Sequence, residues 1–313
     1  MMIMLSRVAE RLYWMARYLE RAEQTARLTL AYNHLIMDIP RGSEPGWDVL
    51  VRILDADPDF YSKYRVGNEL NVLNYLIADG SSFNSIPYAI KSVRENVRTT
   101  RDVLPEETWE QVNELHIYTQ DMAEGSVGRR NRHAFLEEII NRCQMINGTL
   151  LSTLSRDHSY RFIKLGQLLE RADMATRVID VGAGDILDRE GAFAAIDPLL
   201  WGALLQALSA LSAYRRKIGP LVEKDAVVDF IFSESTFPRS VQFCLRGIRE
   251  ELGPLKRNHA AMRIRERARR KLGRFSAESA SREELHRFID DFQEQIHQLH
   301  MAISATWFQP DSR

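Results

Sequence analysis

The string Leu-Glu-Arg-Ala-Glu at Leu19–Glu23 returns as Leu-Glu-Arg-Ala-Asp at Leu169–Asp173, and each copy's last acid has an arginine four residues on, Arg27 or Arg177. Both copies lie in apolar runs. Leu5, Val8, Leu12, Met15, Leu19, Ala22 and Ala26 step by three and four, as do Phe162, Leu165, Leu169, Ala172, Thr176 and Ile179. Such spacing lays one apolar stripe along a long helix. Two long helices with the same charged string at the same place point to a duplicated helical chain.

The self-similarity extends past that string. At an offset of 150, Arg11 meets Arg161; at 154, Trp47–Leu54 meets Trp201–Leu208; at 155, Ser85 and Ile86 meet Ser240 and Val241; near 153, Phe135–Ile139 meets Phe288–Phe292. The offsets stay collinear and drift by a few residues, as loop insertions require. Residues 4–153 are therefore assigned to a first helical repeat and 154–313 to a second. At 313 residues the halves are long enough for each to bury a core or for both to share one.

The remaining apolar spacing is also helical, and alternating strand patterns are missing. Asp197-Pro198 reads as an N-cap with proline in the first turn, and Leu104-Pro105-Glu106-Glu107 as a helix start with early acids. Breaks fall at Pro40–Gly46, Asp79–Pro87, Gly125–Gly128, Gly182–Gly191, Ser233–Pro238 and Gly273–Ser281. The expected fold class is all-α: two homologous helical bundles of some ten or more helices, related by pseudo-two-fold symmetry and packed together. With 42 basic and 43 acidic residues, no global field calls for nucleic acid or a membrane surface. No run approaches the ~20 apolar residues of a membrane helix. Met1–Leu5 is too short for a secretory signal, and Cys143 and Cys244 read as free buried thiols, so the expected location is cytoplasmic.

At about 100° per residue, Glu20, Glu23 and Arg27 fall along the edge of the first apolar stripe, while Arg21 points nearly the opposite way. Glu170, Asp173 and Arg177 form the twin cluster. One reading makes both clusters structural ion pairs that lock helix register. The other makes them walls of a shared cleft, with arginine for carboxylate or phosphate and the acids for an amine or a metal. Ser85 and Ser240, each opening a helix, read as N-caps; a helix start also offers free N–H groups to an anion.

Several motifs fail. Asp55-x-Asp57-x-Asp59 lacks the glycine and bidentate glutamate of a calcium loop, with Phe60 and Val66 in their places. Glu294-x-x-His297 with His300 has no second Glu-x-x-His to complete a di-iron bundle. Gly182-Ala-Gly184 has neither the strand nor the lysine of a phosphate loop. Lys256–Arg274 holds nine Lys or Arg against Glu266 alone, and Arg263, Arg267, Arg270 and Arg274 make one helical stripe, a solvated or partner-docking face.

Leu5–Glu23 and Leu165–Asp173, with Asn84-Ser85-Ile86, Arg94–Arg98 and Pro238-Arg239-Ser240-Val241, resemble the bacterial alpha-E family over essentially the whole chain. Its members are helical proteins named for an internally repeated Glu-Arg motif. The first-repeat loop departs from the family's usual proline by carrying Phe83-Asn84. The resemblance implies a companion of ATP-grasp amidoligases, with transglutaminase-like peptidases nearby, in a pathway that joins amino acids or peptides through ATP-driven amide bonds. It carries over no catalytic residue. The expectation is an accessory or substrate-binding partner that is not independently catalytic and needs no cofactor, meeting an ATP-grasp ligase or a peptide through Glu20, Glu23, Arg27, Glu170, Asp173, Arg177, Ser85 and Ser240. The alternative is a metal-dependent hydrolase or transferase in which Glu20, Glu23, Glu170 and Asp173 converge on divalent ions.

Overall fold

A computed structural model describes residues 6–40, 45–187, 196–278 and 280–309. Leu5 of the first stripe, most of the break at Pro40–Gly46, Ser279 and the latter part of the break at Gly182–Gly191 lie outside the described residues. Among the described residues there are fourteen α-helices and no strand, as the spacing predicts.

Each half contributes four long helices. Ser6–Asp38 packs against Ile86–Arg98 and Arg129–Thr153, with Glu106–Met122 against the latter two. His158–Leu187 packs in the same way against Val241–Leu252 and Arg282–Trp307, with His259–Leu272 against those two. The starts are capped as local chemistry dictates. Ser281 Oγ accepts from Glu284 N while the Glu284 carboxylate accepts from Ser281 N, a reciprocal capping box. Glu106 and Glu107 occupy the first turn after Pro105. Asp197 is itself the first helical residue rather than the N-cap, and there its charge faces the positive end of the helix.

The most extensive packing joins the two motif-bearing helices, Ser6–Asp38 and His158–Leu187. Gly166 makes that approach possible: a Cβ there would stand 2.2 Å from the Tyr13 carbonyl oxygen. The predicted break at Gly182 is corrected, because the helix continues through it to Leu187. Glycine is required there by close packing, since a Cβ would meet the Leu204 side chain at 2.6 Å.

The apolar core does not divide between the halves. One cluster joins Tyr13, Leu28, Leu50 and Phe60 to Leu169, Trp201 and Phe292. A second joins Leu12, Met15 and Leu19 to Val93, Phe135 and Ile139, with Ile163 from the other half. Ser6–Asp38 therefore buries 18 of its 33 residues, far more than one stripe, and becomes a central helix with neighbours on several sides.

Local detail also runs in parallel between the halves. The turns that end Val49–Ile53 and Asp197–Ala207 each place a non-glycine residue in the left-handed region, Asp55 at φ 53° and Ser209 at φ 54°. In each turn the next amide reaches back five residues, Ala56 N to Val51 O and Ala210 N to Leu205 O. Asp79 Oδ1 accepts from Ser81 N and Oγ as Glu234 Oε1 accepts from Thr236 N and Oγ1, and these acids pair with Lys63 and Lys217.

Candidate functional site

The Glu-Arg strings meet where the two central helices touch, and they pair crosswise. Arg21 Nε donates to Glu170 Oε1 at 2.6 Å. Arg171 donates to Glu20 through both Nε, at 2.9 Å, and Nη2, at 2.8 Å. Each glutamate thus takes the arginine of the other copy rather than of its own. This corrects the expectation that Arg21 points away from its cluster: the helical angle is right, but the central helix has another helix on that side, and Arg21 reaches it.

The second acid of each string keeps the predicted local partner. Arg27 Nε donates to Glu23 Oε1 at 2.9 Å, and Arg177 Nε to Asp173 Oδ2 at 2.9 Å. Two arginines outside the strings complete the clusters. Arg239, in the loop before Val241–Leu252, spans Glu20 Oε1 at 2.8 Å and Glu23 Oε1 at 2.6 Å. Arg17 Nε donates to Glu170 Oε2 at 2.6 Å. Sequence spacing had no means of finding Arg17, whose counterpart at the offset of 150 is Gln167. Arg239 was visible as part of a resembling string but had no assigned role.

These pairs are buried, and the electrostatics follow. Burial pushes the Glu20 carboxyl up, but Arg171 and Arg239 outweigh it and hold it at about 2. Burial likewise opposes ionisation of Glu170, and Arg21 with Arg17 brings it to about 2. Burial alone would lower Arg17 and Arg171, yet Glu170 and Glu20 respectively raise both. For Arg239 burial wins over Glu20 and Glu23, and its value falls below the ordinary one. The four repeated acids thus accept from six arginines. A divalent ion among them would have to displace guanidinium groups already at hydrogen-bonding distance.

Ser85 and Ser240 are fully buried N-caps, accepting from Tyr88 N and Phe243 N at 3.1 Å each. Their hydroxyls serve the helix starts. Cys143 and Cys244 are free and buried, and burial pushes both thiols up, so neither is a ready nucleophile.

The two clusters differ in access. Around the Glu170 cluster a cleft of about 400 Å³ is lined by Arg17, Asp173, Arg177, Asp290, Glu294, His297 and His300, among others. A second pocket of about 160 Å³ shares Asp173 and Arg177 with it. The His297 and His300 that resemble half of a di-iron motif therefore face arginine as well as acid. His300 Nδ1 lies 2.9 Å from the Tyr13 hydroxyl; burial and then Arg17 push the imidazole down to about 4, so it is neutral at pH 7. The basic helix forms a separate surface, where Arg267, Arg270, Lys271 and Arg274 border a cleft with Phe275 and Phe288. Arg263 does not line it, while Arg265 is buried against the Leu245 carbonyl.

Fold and site together define an all-helical protein whose two longest packed helices exchange glutamate–arginine pairs. The chain belongs to the Alpha-E family, described as a predicted alpha-helical domain with a conserved ER motif, which matches residues 4–308. No curated protein and no solved structure matches it. No described helix is long and apolar enough to cross a membrane.

Proposed function

We propose that this chain is a duplicated helical partner of an ATP-grasp amidoligase, cytoplasmic and not independently catalytic, which presents its Glu170-side cleft to the peptide or amino acid being joined. The duplication reading rests on the crossed Glu-Arg pairs, the paired left-handed turns at Asp55 and Ser209, and the matched Asp79 and Glu234 loops. The ligase reading rests on the resemblance to proteins encoded beside such enzymes.

The observation that carries the functional reading is the mixed charge of the cleft. Arg17 and Arg177 stand with Asp173, Asp290 and Glu294 around one opening of about 400 Å³. An amino acid carries a carboxylate and an ammonium a few ångströms apart, and a peptide end carries one of the two; either charge finds a partner there. Arg171 and Arg239 hold Glu20 ionised, and Arg21 and Arg17 hold Glu170 ionised, a state suited to binding and orientation rather than to proton transfer at neutral pH.

The test is co-purification with an ATP-grasp amidoligase, followed by product formation. The reading expects amide product only when ATP, ligase and this chain are all present. Turnover of a peptide by this chain alone, without ATP or ligase, contradicts it.

A further inference from the structure

The loop residue before each buried serine cap is Arg239 in one half and Asn84 in the other. Arg239 fills the first cluster: its planar fork bridges Glu20 and Glu23, with Arg171 and Arg27 on the same acids. Residues at the counterpart positions are Asn84, Glu170, Asp173, Arg21 and Arg177. All five line the single pocket of about 160 Å³, together with Asp55, Leu54, Phe83 and Met174. The volume is far above the ~15 Å³ that one water requires. Where one half places Arg239 the other has a pocket, and the third guanidinium of the second cluster, Arg17, lines the neighbouring cleft instead.

The pocket carries one acid more than the first cluster. Glu20 and Glu23 face three arginines, Arg27, Arg171 and Arg239, for a net +1. Glu170 and Asp173 likewise face three arginines, Arg17, Arg21 and Arg177, and the pocket adds the Asp55 carboxylate, for a net 0. The Asp55 carboxylate is largely exposed and pairs with Arg177 at 3.2 Å. Beside it the Phe83 ring, 45% exposed, already holds the Arg21 guanidinium 4.7 Å from its centroid, so an entering guanidinium would meet the ring's edge or its other face. Arg21 keeps its buried Nη1 without a hydrogen-bond acceptor among the described residues.

We infer that this pocket binds the guanidinium of an arginine-bearing ligand, in the place and orientation that Arg239 takes in the other cluster. The inference rests on the duplication described above and deepens the peptide reading by naming a side chain. A guanidinium fits better than an ammonium, because the pattern to be matched is a planar fork across two carboxylates.

The probe is N-acetyl-arginine amide, titrated calorimetrically into the full chain alone, with the isosteric but neutral N-acetyl-citrulline amide as control. The expected result is saturable one-to-one binding of the arginine probe, with the citrulline probe weaker by about tenfold or more. Asn84→Arg should supply the guanidinium from within, abolishing binding while keeping or raising the melting temperature. Asp173→Asn, which leaves the crossed pairs in place, should weaken the arginine probe by a similar factor. Equal affinity for the two probes, no saturable binding to the wild-type chain, or undiminished binding to a folded Asn84→Arg variant overturns the inference. No ligase takes part, so failure here is distinct from failure to meet an ATP-grasp partner.

Discussion

Glu20 and Glu170 show how burial turns a commonplace dipeptide into a structural commitment. Each carboxylate is buried and held by at least two arginines, so replacing it with glutamine leaves two buried guanidinium groups short of a counter-charge. Glu20→Gln and Glu170→Gln should each cost about 3–5 kcal/mol, read as a lowered melting temperature. The pH dependence follows from the same pairs. Both groups are depressed from 4.5 to about 2 in the folded chain, so their stabilisation is complete above pH 4.5 and lost as the pH falls through about 2. That is ~3 kcal/mol per carboxylate, and denaturant titrations between pH 5 and 2 should show the slope reduced in either Gln variant. Glu170 lines a pocket, so Glu170→Gln should also reduce ligase-dependent product more than Glu20→Gln does; equal losses in both contradict that asymmetry. At this scale the sequence exposed the acids and the local arginines Arg27 and Arg177, because a four-residue spacing is visible along one helix. It hid the crossed partners, because one helix's angular map says nothing about what stands on its far side.

Among the helices, the decisive contact is made by the residue that carries no side chain. Gly166 sits against the Tyr13 carbonyl, and a methyl group there would press on that backbone and on the Ala16 Cβ. Gly166→Ala should therefore part the two central helices and lengthen the crossed pairs, costing about 1–3 kcal/mol, even though alanine favours a helix in isolation. A variant that melts at or above the wild-type temperature would show that the helices do not approach so closely. The serine caps belong to the same scale: Ser85→Ala and Ser240→Ala each remove a buried acceptor and should cost ~1 kcal/mol without altering ligand affinity. Helix starts with proline, early acids or serine were legible because capping chemistry is local. The continuation through Gly182 was not, since a glycine that ends a helix and one that admits a neighbouring leucine read alike in one dimension.

For the whole molecule, the repeat offsets made the order of the long helices legible, but not how intimately the halves share one interior. The central helices are each other's main neighbour, and an apolar cluster crosses from Tyr13 and Leu50 to Trp201 and Phe292. A linear offset carries no information about that crossing. The repeated Glu-Arg string acts between copies, each glutamate holding the other's arginine. A double-mutant cycle on Glu20 and Arg171, with Glu20→Gln, Arg171→Met and the pair compared by denaturant unfolding, tests this directly. These residues lie 151 positions apart in sequence and 2.8 Å apart in the fold. The expected coupling energy is about 1–3 kcal/mol, with the double variant more stable than the two single losses sum to. Losses that add to within about 0.3–0.5 kcal/mol would mean the strings do not pair across the halves, and would contradict it.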